Sequence, residues 1–204
     1  MSSSTSGGAR ATPPDARAAV QRRGRLIAAT IIVVCALPLG AALVAYYFFP
    51  PAGRINYGEL LEPTPLPGVA TARLDGRPFS LAELKGKWVM LQVDAAPCAA
   101  ACQAKLFNMR QVRLAQGQNM ERVERVWLLL DAGQPPADLA RLYEGAVIAR
   151  AAPELLARLP AADVRSHIYL IDPRGNLMLR FPANADPKRM IKDLGRLLKY
   201  SGIG

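Results

Sequence analysis

Histidine is almost absent from this chain: His167 is the only one in 204 residues. Cysteine is nearly as scarce, at Cys35, Cys98 and Cys102. Three cysteines exclude a small disulfide-stapled scaffold. The lack of a second cysteine pair argues against a tetrahedral structural zinc centre. Acidic residues are also few, and 16 Asp and Glu against 26 Lys and Arg leave a net charge of +10. That excess does not mark a nucleic-acid site. Arg10, Arg17, Arg22, Arg23 and Arg25 precede a long apolar run with Asp15 as the one acid among them. The remaining positive charge is spread along the chain, without the clustered stripe or aromatic interleaving of a nucleic-acid surface. No nucleic-acid partner is expected, and anionic lipid headgroups suit the charge better. No internal repeat is present.

What the chain does have is one long uncharged segment, LIAATIIVVCALPLGAALVAYYFF, from Leu26 to Phe49. As a helix it would span roughly 36 Å, enough to cross a hydrocarbon core of about 30 Å. Pro38 and Gly40 are tolerated in such helices. Tyr46 and Tyr47 fit the aromatic belt at a membrane interface. The run is too long, and ends in residues too bulky, for a cleaved signal peptide. Its arginines lie on the N-terminal side, which predicts a cytoplasmic N-terminus and an exported C-terminal part. Cys35 lies within the run and behaves as a small hydrophobe. The organisation expected is therefore a disordered cytoplasmic tail (1–25), a transmembrane anchor (26–49), a semi-rigid tether carrying Pro50, Pro51, Pro63, Pro65 and Pro67 (50–68), and one folded domain (69–204).

Within that domain, FSLAELKG reads as a short turn or helix before the buried strand Trp88–Asp94. A helix is predicted from Pro97 and Cys98 to about Gln116, and a second buried strand over Val123–Asp131. ADLARLYEGAV after Pro135 and Pro136 reads as helix, and Ser166–Asp172 as a third strand. Pro173-Arg174-Gly175-Asn176 has hairpin chemistry and leads into a fourth strand, Leu177–Phe181. Pro187 opens the last helix, whose buried face carries Met190, Ile191, Leu194, Leu197 and Leu198. The order β–α–β–α–β–β–α, with helical crossovers first and a hairpin last, predicts an α/β fold. It is a thioredoxin-like mixed sheet with flanking helices, preceded by one transmembrane helix.

Cys98 and Cys102 stand where the first strand hands over to the first helix, in VDAAPCAAACQ. At i and i+4 on a helix, both sulfurs share one face. The helix N-terminus favours thiolate, the reactive and metal-binding form. Three uses are open: Cu(I) binding by two soft ligands, cycling between dithiol and disulfide, and a static disulfide brace. If the pair is redox-active, Cys98 is the attacking thiolate and Cys102 the resolving one. His167 is either a third copper ligand or a side chain that packs on the sheet, on one face with Tyr169 and Ile171, or faces solvent.

FSLAELKGKWVMLQVD, the Cys98-x-x-x-Cys102 spacing, VWLLLD and IYLIDPRGNLMLRF together resemble the SCO/SenC family, over about residues 69 to 200. These are membrane-anchored thioredoxin-fold proteins that handle copper and thiol chemistry during cytochrome c oxidase assembly. The resemblance implies a protein of a bacterial cytoplasmic membrane with its domain in the periplasm. It implies that Cys98 and Cys102 bind Cu(I) or keep a partner's cysteines reduced. The implied partner is a cytochrome c oxidase subunit or another copper or thiol assembly protein. A general thiol–disulfide oxidoreductase and a non-catalytic module keeping the fold are the alternatives. The chain departs from the family pattern at three places. Ala99 and Gln103 replace prolines after the cysteines, and Asp131-Ala-Gly-Gln-Pro-Pro replaces an acidic stretch. Val164 stands where the family's ligand histidine is expected, whereas His167 lies only two residues before Tyr169.

Overall fold

The computed structural model describes residues 14–48, 56–160 and 163–202. The chain divides into two units, 1–54 and 55–204. The first is built on α1 (Pro14–Phe48). Its stretch Gln21–Phe48 is long and apolar enough to cross a membrane, and none of it is buried within the protein. A helix with side chains such as Ile32 and Phe48 bare to their surroundings needs an apolar solvent. Thr30, within the uncharged run, turns its hydroxyl back to the Leu26 carbonyl at 2.9 Å. The expected disordered tail is corrected from residue 14 onward: Pro14–Arg25 is helical. Pro14 sits at the first helical position, and the alanines, arginines and glutamine that follow are good helix formers. Residues 1–13 and 49–55, the rest of the expected tail and the start of the tether, lie outside the described residues.

The second unit is a six-stranded mixed sheet with a separate two-stranded ribbon. Its strands are β1 (Glu59–Pro65), β2 (Thr71–Ala72), β3 (Pro78–Phe79), β4 (Trp88–Asp94), β5 (Val123–Leu129), β6 (Val147–Arg150), β7 (Ile168–Ile171) and β8 (Asn176–Arg180). Its helices are α2 (Ala100–Leu114), α3 (Ala140–Tyr143), α4 (Pro153–Leu156) and α5 (Pro187–Tyr200). The sheet order is β1-β8-β7-β4-β5-β6, and β2 and β3 form the ribbon. β4, β5 and β6 are parallel, while β7, β8 and β1 join antiparallel. This is the mixed thioredoxin-like sheet predicted. The hairpin between β7 and β8 closes where expected, with Gly175 at φ +92° and its N–H donating to the Asp172 carbonyl at 2.9 Å.

Two expectations are corrected. Part of the proline-rich tether belongs to the sheet, as β1, paired with β8. Pro63 and Pro65 are compatible with this because β1 is an edge strand. Gly58 just before it lies against Leu179, whose Cδ2 would stand 2.2 Å from any Cβ placed there. The helix expected after Pro136 is reduced to a 3-10 turn and the single turn α3. Gly145, at φ +70°, stops it, and the β-branched Val147 and Ile148 continue as β6.

All seven residues of β4 are buried. Val89, Leu91 and Val93 pack with Val126, Leu128, Tyr169 and Ile171 on one face. Trp88 and Met90 pack on the other with Met109 and Val112 of α2 and Met190, Leu194 and Leu198 of α5. The period of two along β4 thus divides the core into two layers.

Candidate functional site

The site forms where β4 ends and α2 begins. After Asp94 the chain turns: the Cys98 N–H donates to the Ala95 carbonyl at 3.1 Å, and Cys98 itself adopts φ +45°. A non-glycine residue in this region stores of order 1–3 kcal/mol and must be held there by its surroundings. Those surroundings are identifiable. Asp131, just past β5, accepts the Ala96 N–H at 3.2 and 3.1 Å with its two oxygens. The Arg150 guanidinium donates to the carbonyls of Asp131, Ala132 and Gly133 at 2.6 to 2.9 Å, holding that loop in turn. The Gln103 amide donates to the Cys98 carbonyl at 3.0 Å.

Cys98 and Cys102 are joined as a disulfide, with Cα atoms 5.1 Å apart. Ala99, the helix N-cap, has no side chain able to cap, so no side-chain acceptor of its own competes for the first-turn N–H groups. Both cysteines are 1% exposed, packed with Ala96, Leu106, Trp127, Leu129 and Leu139. The Gln92 side chain, buried on β4, donates to the Cys102 Sγ at 3.8 Å, and its Oε1 has no partner.

One turn further along α2 lies a second polar group. The buried carboxylate of Asp94 accepts from Lys105 Nζ at 3.1 Å and from Arg165 Nε and Nη2 at 3.0 and 2.8 Å. Lys105 also donates to the carbonyls of Val93 and Arg165. Burial pushes the Lys105 ammonium below its usual range, although Asp94 pulls the other way. These groups line an open cleft with Asn108, Asn184 and Ala185; neither cysteine lines it.

His167 is not brought to the sulfurs. Its Nδ1 lies 2.8 Å from the Phe181 carbonyl, which can only accept, so Nδ1 carries the hydrogen. Its ring stands 6.2 Å from that of Tyr169, whose side chain belongs to the core layer away from α2. Val164 packs against that same layer as a plain hydrophobe. Among the described residues, no three His, Cys, Asp or Glu side chains gather closely enough to hold a metal ion. A three-ligand copper centre of Cys98, Cys102 and His167 therefore does not fit this arrangement; two reduced sulfurs alone would serve Cu(I).

Residues 88–201 match the family of transmembrane-like, thioredoxin-like, C-terminal domains. The chain belongs to that family. Solved structures carry the same fold at low identity. Yeast Sco1 with copper bound superimposes with a TM-score of 0.56 at 16% identity, over 69% of this chain and 96% of that one. ScoI of Bradyrhizobium japonicum, also with copper bound, gives 0.51 at 19%, over 65% and 99%. The thioredoxin domain of a thiol-disulfide oxidoreductase from Bacteroides vulgatus gives 0.51 at 16%, over 68% and 99%. No curated protein matches the chain. The thioredoxin-like fold expected from the SCO/SenC resemblance is thus present in this family member.

Sequence reasoning missed Gln92, Asp94, Lys105 and Arg165. The signal was there for two of them: Gln92 and Asp94 are polar residues inside an otherwise apolar, wholly buried strand, a placement that requires partners.

Proposed function

We propose that this protein is a membrane-anchored, SCO-like assembly factor for a respiratory cytochrome c oxidase, acting through thiol–disulfide exchange at Cys98 and Cys102. In this reading α1 holds the domain on the periplasmic face of a bacterial cytoplasmic membrane. The observation that supports it is the pairing of the two cysteines at the start of α2, directly after the central strand.

The disulfide is the oxidised half of the cycle. In the reduced half, the Cys98 thiolate attacks one sulfur of a partner's disulfide. A bond forms from Cys98 to that sulfur, and the partner's other sulfur leaves as a thiolate and takes up a proton. The Cys102 thiolate then attacks Cys98, re-forming the internal disulfide and releasing the partner as a dithiol. Two electrons pass to the partner, and a dithiol donor must restore the pair. With both sulfurs buried, exchange requires the turn at residues 95–99 to open. The strained φ of Cys98 favours that opening once the disulfide is broken.

A second reading is supported by the soft-ligand chemistry of the same pair and by the copper-bound SCO neighbours. Reduced Cys98 and Cys102 take up Cu(I) as cargo and pass it to an oxidase subunit or to another copper assembly protein.

Trapping separates the cases. The full chain carrying Cys102→Ser, reduced and offered a model disulfide, should accumulate a mixed disulfide at Cys98. Failure to form one, with the fold intact and one equivalent of Cu(I) bound by the reduced native chain, would remove exchange in favour of copper.

A further inference from the structure

We propose that the outward face of α5 binds the headgroups of anionic phospholipids. The inference rests on the charge of α5 and does not depend on the thiol chemistry.

α5 carries five basic residues, Lys188, Arg189, Lys192, Arg196 and Lys199, and one acid, Asp193. At about 100° per residue the five fall within an arc of about 100° on one side of the helix. The opposite side is buried, through Met190, Leu194 and Leu198 in the core. Asp193 does not dilute the basic face. It is 3% exposed, and its Oδ2 accepts the backbone N–H groups of Tyr57 and Gly58 at 2.7 and 2.9 Å. Among the described residues, Lys188, Arg189, Lys192 and Lys199 form no salt bridge, so a mobile anion or a charged surface is left to neutralise them.

The same helix holds residues 56–58. Besides the two bonds to Asp193, the Tyr57 ring lies beneath the Arg189 guanidinium at 4.1 Å, and its hydroxyl accepts the Asp186 N–H at 3.0 Å. Asn56 accepts from Arg196 at 3.4 Å. Residues 56–58 are thus fixed on α5 itself. Tyr200, largely exposed at the end of α5 beside Lys199, suits an interface, with its ring toward lipid and its hydroxyl toward water.

The test uses the full chain in nanodiscs of phosphatidylcholine alone or with one-third phosphatidylglycerol. Acylation of lysines by an amine-reactive reagent is followed by mass spectrometry. Lys188, Lys192 and Lys199 should label at least threefold more slowly in the anionic discs. That protection should vanish at 0.5 M salt, where the screening length falls to a few ångströms. Exposed Lys85, at the end of β8 away from residues 56–58, is the internal control and should be unaffected. Equal labelling in both discs would overturn the proposal. So would protection by a soluble acidic polypeptide but not by phosphatidylglycerol, which would assign the face to an acidic protein. A Lys188→Gln/Lys192→Gln/Lys199→Gln chain reports independently: its Arg189 and Arg196 amide segment should exchange hydrogen equally fast in both discs, whereas the native segment should be slowed only in the anionic one.

Discussion

The side-chain amide of Gln92 donates to the sulfur of Cys102 at 3.8 Å, and both residues are shut off from solvent. A donor held against a sulfur favours the thiolate over the thiol and over the weakly accepting disulfide. The partnerless Oε1 adds a cost that the fold carries in the oxidised state. Gln92→Leu removes both effects with little change in volume. The Cys102 thiolate loses about 1 kcal/mol of stabilisation, so the reduction potential should fall by about 20 mV. Alkylation of Cys102 in the reduced protein should slow, because less of it is thiolate. Equilibration in glutathione buffers and the rate of alkylation measure the two. If neither moves while stability does, Gln92 is a packing residue only.

Gln92 also shows how the site was and was not legible in the sequence. The run Trp88–Asp94 identifies the central strand through its apolar residues, and the helix opened by Cys98 follows from composition alone. Those two readings put Cys98 and Cys102 at the strand-to-helix junction and left their bonding open; the structure joins them there as a disulfide. The ion group was not legible, because Asp94, Lys105 and Arg165 are brought together by the sheet and not by spacing. β1 was hidden by Pro63 and Pro65, which read as tether although an edge strand accommodates them. β6 was hidden because its four residues follow a good helical pattern that Gly145 cuts short.

The imidazole of His167 is engaged with the Phe181 carbonyl, so it should not contribute to copper affinity. Anaerobic Cu(I) titration of the reduced full chain should give the same affinity for the native protein and for His167→Ala. Cys98→Ser should abolish tight binding, since one thiolate remains. Loss of the carbonyl bond should cost about 1 kcal/mol of stability in the His167→Ala chain. A tenfold weaker Cu(I) affinity for that variant would place the ring beside the sulfurs and refute this assignment.

Tyr169 makes stability depend on alkaline pH. Its hydroxyl is buried without a partner, and burial raises the phenol from 10.0 to about 12. Between those values the unfolded chain releases a proton that the folded chain retains. Stability from this group is therefore intact below pH 10 and falls as pH climbs toward 12, by about 1–2 kcal/mol. Tyr169→Phe abolishes that dependence and also removes an unsatisfied hydroxyl, so at neutral pH it should be neutral or stabilising by about 1 kcal/mol. Both tryptophans, Trp88 and Trp127, lie in the second unit, residues 55–204. Urea unfolding of the full chain in detergent, read by their fluorescence, therefore reports on this domain alone. A native-like alkaline slope in the variant would show that other groups set it.

The Asp94–Lys105 pair should behave as a coupled unit. Both side chains are nearly enclosed, at 5% and 10% exposure, so each charge depends on the other for compensation. Lys105→Met leaves Asp94 with Arg165, which holds Oδ1 but is half exposed. Removing one partner of a buried pair costs about 3–5 kcal/mol, and the remaining arginine should reduce this to about 2–3 kcal/mol. Adding Asp94→Asn to Lys105→Met removes the stranded charge while keeping the oxygen that accepts from Arg165. The double variant should regain about 1 kcal/mol or more over Lys105→Met, although Asp94→Asn alone is destabilising. That reversal of sign is the mark of a direct interaction in a double-mutant cycle. Additive losses would mean that Arg165 alone neutralises Asp94 and that Lys105 is held by the Val93 and Arg165 carbonyls.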